Sequence, residues 1–165
     1  MADRIGAVFD EMLRFDAGDA RRIQHLIKVH AFARRIGQRE GLNAQTQEKL
    51  EIAALTHDIG IRVCEAKYGS CTGQQQEAEG PPVAADMLAR LGFSRAVVER
   101  VCFLIGHHHT YAGIDGADWQ ILVEADFLVN LYEDGARTEA IRHAYDGIFK
   151  TDAGRDLCRN MFGIA

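Results

Sequence analysis

The stretch 50-LEIAALTHDIG-60 decides the fold of this chain, because its spacing predicts a helix with an apolar face that ends in two polar side chains. Leu50, Ala53 and His57 are three or four residues apart and therefore share one face of that helix. Asp58 lies about 100° round from His57. A His-Asp dipeptide carries little information by itself, so the rest of the chain has to give it meaning.

Composition places the chain among ordinary globular proteins. Its 165 residues fit one domain, with 47% hydrophobic and 26% charged residues. The net charge of -5 argues against a nucleic acid polymer as partner. The sequence shows no signal-peptide pattern and no apolar run of about 18 residues, so we expect a cytoplasmic protein without a membrane partner. The 4 cysteines form no CxxC pair and are expected to be reduced thiols.

Helical periodicity runs through most of the chain and predicts an all-α fold of about seven to eight helices. Strand-like alternation never lasts more than a few residues, and the two prolines are adjacent. Polar caps and glycines set the predicted boundaries. The expected helices cover about 3–15, 19–36, 46–59, a segment beginning at the proline pair, 94–109 and 117–133, with one or two shorter helices at the C-terminus.

The segment 61–80 lacks a clear helical period. It reads IRVCEAKYGSCTGQQQEAEG, is largely polar and contains three glycines, so it is predicted to be a long loop. Pro81 and Pro82 follow it and are expected in the first turn of the next helix, where a missing N–H costs nothing.

Four predicted helices direct polar side chains inward. His25 shares the apolar face of the second helix, His108 that of the fifth, and Asp126 lies within the apolar run of the sixth. An ionised Asp in such surroundings costs several kcal/mol unless it is paired or binds a metal. Each residue alone is also compatible with a hydrogen-bonded core histidine or a helix-capping aspartate. Together with the His57 and Asp58 doublet they favour a metal site, because no inward Lys or Arg is available.

In this order, the residues resemble those of the HD superfamily of metal-dependent phosphohydrolases. The superfamily pattern is an early His, a His-Asp doublet and a late Asp. Here these are His25 in RRIQHLIKVHAFA, the doublet in AALTHDIG and Asp126 in LVEADFLVN, and EGPPVAADMLARLG resembles the helix that follows the doublet. The resemblance covers about 19–133 and implies a single compact HD domain over 1–165.

The resemblance also implies a metal-binding set and a reaction. His25, His57, Asp58 and Asp126 would bind one divalent transition metal ion, either Fe, Mn, Ni, Co or Zn. A metal-activated water would then hydrolyse a phosphate monoester of a small molecule, with nucleotides among the candidates.

Further residues are candidates for roles around that ion. His108 is expected to act as a base, a phosphate contact or an additional ligand, and Glu77 could supply a carboxylate to the reaction. Arg22, Arg62 and Lys67 are candidate phosphate contacts, and the alternative for each is an ordinary solvated surface charge.

Two positions depart from the superfamily pattern. Members with two metals resemble one another in a His where this chain has Gln76, so a second metal is not expected. Members acting on deoxynucleoside monophosphates have a Glu where this chain has Ile61, so that substrate is not carried over. Two other functions stay open: a metal-stabilised regulatory module that binds a nucleotide, and an HD-type di-iron oxygenase. The oligomeric state also stays open, with a homodimer among the alternatives.

Overall fold

The structure is a computed structural model that describes residues 3–164. Within that range it consists of helices joined by turns, with no strand, which confirms the prediction of an all-α fold. None of the described helices is long and apolar enough to cross a membrane. The nine helices of residues 3–164 are α1 (Arg4–Phe15), α2 (Ala20–Arg39), α3 (Ala44–Thr56), α4 (Ile61–Tyr68), α5 (Gly73–Arg90), α6 (Arg95–Ile105), α7 (Ala117–Glu133), α8 (Thr138–Gly147) and α9 (Asp152–Phe162).

Helix α3 occupies the centre of the molecule. Asn43 caps its N-terminus, where its side chain accepts a hydrogen bond from the Thr46 N–H. Every residue from Leu50 to Thr56 is buried, as expected for a helix surrounded on all sides. It packs against α1, α2, α6 and α7, and α2 and α7 also pack against each other. The C-terminal end of α3 therefore lies between two long helices.

The segment 61–80 is helical, so the prediction of a long loop is wrong. It contains α4, which ends at Gly69 in a left-handed conformation, and the first two turns of α5. Thr72 and Gln75 begin α5 with reciprocal hydrogen bonds between side chain and backbone. Cys64 is the only buried residue of α4, so the helix has little of the apolar periodicity from which it could have been predicted.

The proline pair lies in the interior of α5, not in its first turn as predicted. Thr72 starts the helix two turns earlier, and the helix continues through Pro81 and Pro82. Two prolines in a helix remove two backbone hydrogen bonds. Ala84, Met87 and Leu88 are buried downstream of them, and α5 packs along α6. Tertiary packing of this apolar face stabilises the helix despite the prolines.

Three other predicted boundaries move by a few residues. Helix α2 continues through Gly37 to Arg39, and Gly37 packs closely against the Gln47 and Leu50 side chains of α3. Helix α3 ends at Thr56, so His57 is its C-cap. Helix α6 ends at Ile105, and the three histidines that follow Gly106 form a turn.

Gly60 sets the distance between the end of α3 and α5. A Cβ at this position would lie 2.7 Å from the Gly80 nitrogen and 3.0 Å from the Gln76 carbonyl oxygen, so only glycine allows this approach. The close approach brings Asp58 beside α5 and the turn that follows α6.

Candidate metal centre

Three helices bring the four predicted metal ligands to one place. His25 lies on the second turn of α2, His57 caps the C-terminus of α3, Asp58 follows it, and Asp126 lies in the middle of α7. His57 is fully buried, and the other three side chains are at most 15% exposed. The inward stripes predicted from the sequence therefore do converge.

His25, His57 and Asp58 form a group with the spacing of metal ligands, and Asp126 lies close to both histidines. His25 Nε2 is 3.3 Å from His57 Nε2, 3.2 Å from Asp126 Oδ1 and 3.4 Å from Asp58 Oδ2. His57 Nε2 is 3.4 Å from Asp126 Oδ1 and 3.6 Å from Asp58 Oδ2. Ligands about 2.1 Å from an ion, at angles of 90° to 109°, are roughly 3.0 to 3.4 Å apart. We name His25, His57, Asp58 and Asp126 the HD cluster.

The outer nitrogen of each imidazole determines where its proton lies. His25 Nδ1 is 3.0 Å from Glu133 Oε2, and His57 Nδ1 is 3.0 Å from the Ala54 carbonyl oxygen. A carboxylate or carbonyl oxygen only accepts, so both Nδ1 atoms donate and both Nε2 atoms direct a lone pair inward. Metal-binding histidines in proteins are usually oriented in this way.

When both imidazoles are neutral, the cluster thus assembles acceptors without donors. Asp126 Oδ1 is buried and has no hydrogen-bond partner among the described residues. A buried carboxylate facing two imidazole lone pairs is unfavourable unless a positive charge lies between them. The HD cluster therefore fits a divalent cation, and its mixture of imidazole and carboxylate suits a transition metal.

The pKa values in the metal-free protein show the same demand for positive charge. Burial by itself would lower the pKa of His25, but Asp126 and Asp58 raise it to about 9. The pKa of His57 is raised in the same way by Asp58 and Asp126, against the effect of burial. Burial would raise the pKa of Asp58, yet His57 and His108 lower it to about 2. Without an ion, protons on the imidazoles supply the charge that the carboxylates require.

His108 lies on the other side of Asp58. Its Nδ1 donates to the Ile105 carbonyl at 2.7 Å, and its Nε2, buried and without a hydrogen-bond partner, is 3.5 Å from Asp58 Oδ1. Asp58, His108 and His109 form a second group of side chains with the spacing of metal ligands. His109 Nε2 is also 2.9 Å from Gln76 Oε1, the residue that departs from the two-metal pattern.

Glu77 holds the histidine turn in place. Its Oε1 accepts hydrogen bonds from the His109 N–H at 3.0 Å and from the Thr110 hydroxyl at 2.9 Å. The structure therefore places this carboxylate against the backbone of the turn, where it positions His108 and His109. The sequence interpretation had considered it a direct participant in the reaction.

A cavity of about 410 Å³ opens beside His25 and Asp58. Arg22 lines it, but the guanidinium is 3.3 Å from both Asp19 and Glu65, so its charge is already paired. Arg21 also lines the cavity and forms no ion pair within the described part of the chain. The sequence interpretation had not considered Arg21.

The other two candidate phosphate contacts lie outside this cavity. Arg62 donates to the Phe15 carbonyl and lines a neighbouring cavity together with Arg22. Lys67 pairs with Glu79 at a distance of 2.7 Å. Of the three cations predicted to contact phosphate, only Arg22 borders the cavity beside His25 and Asp58.

Two polar residues of α7 join the site without having been predicted. Glu133 holds the His25 ring and also accepts from Lys28 Nζ at 2.7 Å, and Asn130 lines the cavity. Both follow Asp126 at intervals of four and seven residues, which places them on the same face of a helix. This spacing was a usable signal in the sequence.

Comparisons with known proteins agree with this arrangement. The family model named HD domain matches residues 22–142. No curated protein matches the chain. Among solved structures, the chain is similar to the crystal structure of a predicted HD superfamily hydrolase from an uncultured Thermotogales bacterium, with a TM-score of 0.65 and 27% identity over 98% of this chain and 84% of that chain. The family match includes all four residues of the HD cluster.

Proposed function

The chain belongs to the HD-domain family of metal-dependent hydrolases, and on that basis we propose that it hydrolyses a phosphate monoester at a divalent metal ion bound by the HD cluster. The substrate is a small phosphorylated molecule, since the cavity beside the cluster is about 410 Å³. The ion itself is one of the transition metals that imidazole and carboxylate bind, namely Fe, Mn, Ni, Co or Zn.

The orientation of the histidines supports this proposal most strongly. Glu133 and the Ala54 carbonyl accept hydrogen bonds from the Nδ1–H groups of His25 and His57. The Nε2 atoms of the neutral imidazoles, which face the HD cluster, are therefore acceptors. A structural core would place donors next to a buried carboxylate such as Asp126. An acceptor-only cluster is instead the arrangement that a cation requires.

The bound ion would supply Lewis acidity, lowering the pKa of water and withdrawing charge from a phosphoryl oxygen. His25, His57, Asp58 and Asp126 hold their atoms in position before the substrate arrives, so little reorganisation is needed. Arg21, which lines the same cavity and forms no ion pair among the described residues, would contact the remaining phosphoryl oxygens.

His108 is placed to transfer a proton. Its Nε2 has a free lone pair directed at the cluster, and the Ile105 carbonyl fixes the proton on Nδ1. In the proposed reaction a water oxygen forms a bond to phosphorus while the bond to the ester oxygen breaks. His108 Nε2 accepts the proton of the water and returns it to the departing ester oxygen as an alcohol is released.

The proposal is tested by metal analysis and phosphate release. The purified protein is expected to contain a transition metal, and the metal-loaded protein to release phosphate from a panel of monoesters. His108→Ala should lower kcat by about 100-fold, in the range of general acid–base catalysis, while metal content stays constant. Phosphate release that does not depend on Asp58, or none from any ester, would refute the proposed function.

A second candidate function follows from the group formed by Asp58, His108 and His109. His25, His57 and Asp58 would hold one ion, and His108 and His109 would help to hold a second, which would supply the two irons of an HD-type di-iron oxygenase. Two irons per chain, together with oxygen consumption and no phosphate release, would favour this function over hydrolysis.

A further inference from the structure

The cavity beside the HD cluster has unusually polar walls. Among the described residues that line it, Ile61 is the only one with a large aliphatic side chain, and His25 supplies the only aromatic ring. Small-molecule sites in proteins are generally lined mostly by hydrophobic and aromatic side chains. The organic part of the substrate would therefore meet hydrogen-bonding groups in place of an apolar surface.

The tyrosines close to the HD cluster do not line this cavity. Tyr111 packs edge-on against Phe127 with ring centroids 5.2 Å apart, and the Tyr132 ring lies 5.6 Å from Lys28 Nζ. Neither tyrosine lines the cavity. A nucleobase is usually bound by stacking on such rings, so this cavity lacks the surface that would recognise one.

Fixed hydrogen-bonding groups are present instead. Arg22 holds the Asp19 and Glu65 carboxylates at 3.3 Å each, which keeps two acceptors in place on one side. Asn130, on α7, lines the same cavity, and its amide forms no side-chain hydrogen bond within the described part of the chain. Hydroxyl groups both donate and accept, so they match a cavity lined by both carboxylates and a free amide.

The charge of the walls limits the number of phosphates. Asp19, Glu65 and Glu133 line the cavity in addition to Asp58, against the two cations Arg21 and Arg22. Once the phosphoryl group is bound at the HD cluster, a second phosphate would face more carboxylates than guanidinium groups.

We infer that the substrate of this hydrolase is the monophosphate of a small polyol or sugar, whose hydroxyls bind Glu65 and Asn130, and not a nucleotide. The inference rests on the proposed function, because it assumes that the phosphoryl group is bound at the HD cluster.

Steady-state kinetics on three substrate classes test the inference. The manganese-loaded protein is assayed with polyol and sugar monophosphates, with nucleoside 5′-monophosphates and with 4-nitrophenyl phosphate. The kcat/KM for the best polyol or sugar ester should exceed that of the other two classes by at least about tenfold. A higher kcat/KM for a nucleotide or for the aryl ester would overturn the inference and leave the hydrolase proposal intact.

Binding measurements separate this inference from the proposed function. The same three classes are titrated calorimetrically into the manganese-loaded His108→Ala variant, which retains the HD cluster. Tighter binding of the polyol or sugar esters is expected even if no ester is turned over. Equal or tighter binding of nucleotides would contradict the inference independently of any activity.

Asn130→Ala tests the assigned contact. Loss of one hydrogen bond to a substrate hydroxyl should lower the kcat/KM ratio of polyol over aryl phosphate by about tenfold, mainly through the KM of the polyol ester. Asn160→Ala is the matched control, because Asn160 lies on α9 and bonds only to Asp156. If the Asn130→Ala variant keeps the wild-type ratio, Asn130 does not bind the substrate.

Discussion

Two carboxylates on α7, only two residues apart, show what distinguishes a structural acid from a metal ligand. Glu124 and Asp126 are both buried, at 0% and 4% exposure. Glu124 is surrounded by donors: its Oε1 accepts from the Lys150 and Thr151 N–H groups at 2.6 and 2.9 Å and from Gln120 Nε2 at 2.8 Å. This carboxylate ties the segment before α9 to α7.

Asp126 faces the opposite kind of surroundings. Its Oδ1 lies 3.2 Å from His25 Nε2 and 3.4 Å from His57 Nε2. Both acids are buried and both lie on α7, so neither burial nor position on a helix explains why their surroundings differ. The chemistry of the partners decides: hydrogen-bond donors make a buried carboxylate part of the fold, and acceptors make it part of a cation site.

The largest effect is expected from Asp126→Asn. Removing this charge should weaken transition-metal binding by at least about 100-fold, beyond the usual effect of a residue that only orients a ligand, and lower phosphate release by about 1,000-fold. The metal-free variant should stay folded with a lower melting temperature, because Asp126 is one of the carboxylates that pair with protonated His25 and His57 when no ion is bound. Competition with a metal-binding dye measures the metal affinity, a phosphate assay measures the activity, and calorimetry measures the melting temperature. A variant that unfolds without metal, or binds metal normally, would break the comparison.

Glu124→Gln should produce the reverse pattern. The amide brings an NH₂ group among three N–H donors and the Thr151 hydroxyl, which donates to Oε2. We therefore expect a loss of about 2 to 3 kcal/mol in the free energy of unfolding and a fall in Tm of roughly 5 to 10 °C. Metal affinity should stay within about twofold of wild type. Glu99→Gln is the control, since this exposed acid pairs only with Arg95. A large change in metal affinity would show that the two carboxylates are not independent.

Substitutions of Glu133 test whether this carboxylate keeps a proton on His25 Nδ1, outside the HD cluster. Glu133→Ala removes the acceptor of the His25 Nδ1 proton, so His25 can rotate or change tautomer. We expect metal affinity to fall by about tenfold with little change in stability. Glu133→Gln should restore part of it, because the amide oxygen still accepts from Nδ1. Equal dissociation constants for wild type and both variants would show that Glu133 does not orient this ligand.

The sequence was sufficient to predict convergence but not the type of partner. Helical spacing correctly placed His25, His57 and Asp126 on inward faces, because a period of 3.6 residues depends only on local order. It could not separate Glu124 from Asp126, which lie in the same apolar run. Apart from Gln120, the donors that satisfy Glu124 belong to Lys150 and Thr151, which are distant in the chain and approach only after folding.

Partners that are distant in the chain also explain most of the remaining differences between the predicted and the observed structure. The sequence shows that Arg22 and Lys67 are positive, but Glu65 and Glu79 pair with them across other helices. Helix α4 was not predicted because it buries only Cys64, and a pattern-based prediction needs a longer apolar face. Local capping at Thr72 was present in the sequence and could have located the start of α5.

Asp16 is intermediate between the two carboxylates of α7, and its substitution should have the smallest effect on stability. Its Oδ1 is buried without a hydrogen-bond partner, and the nearest guanidinium nitrogen, on Arg22, is 3.9 Å from it. Burial raises the pKa of Asp16 from 3.8 to about 6, although Arg22 lowers it in part. Because the folded pKa is the higher one, the folded state binds more protons between about pH 4 and pH 6, and stability falls as the pH rises through that window.

Asp16→Asn should therefore stabilise the protein at pH 8 by about 1 kcal/mol, since the amide carries no charge to bury. The gain should shrink as the pH falls below 6, because the wild-type carboxyl becomes neutral as well, and it should be nearly absent at pH 4.5. Urea unfolding of both proteins at pH 8 and pH 4.5 measures the difference. A gap of equal size at both pH values would mean that the pKa of Asp16 is not raised by burial in the folded state.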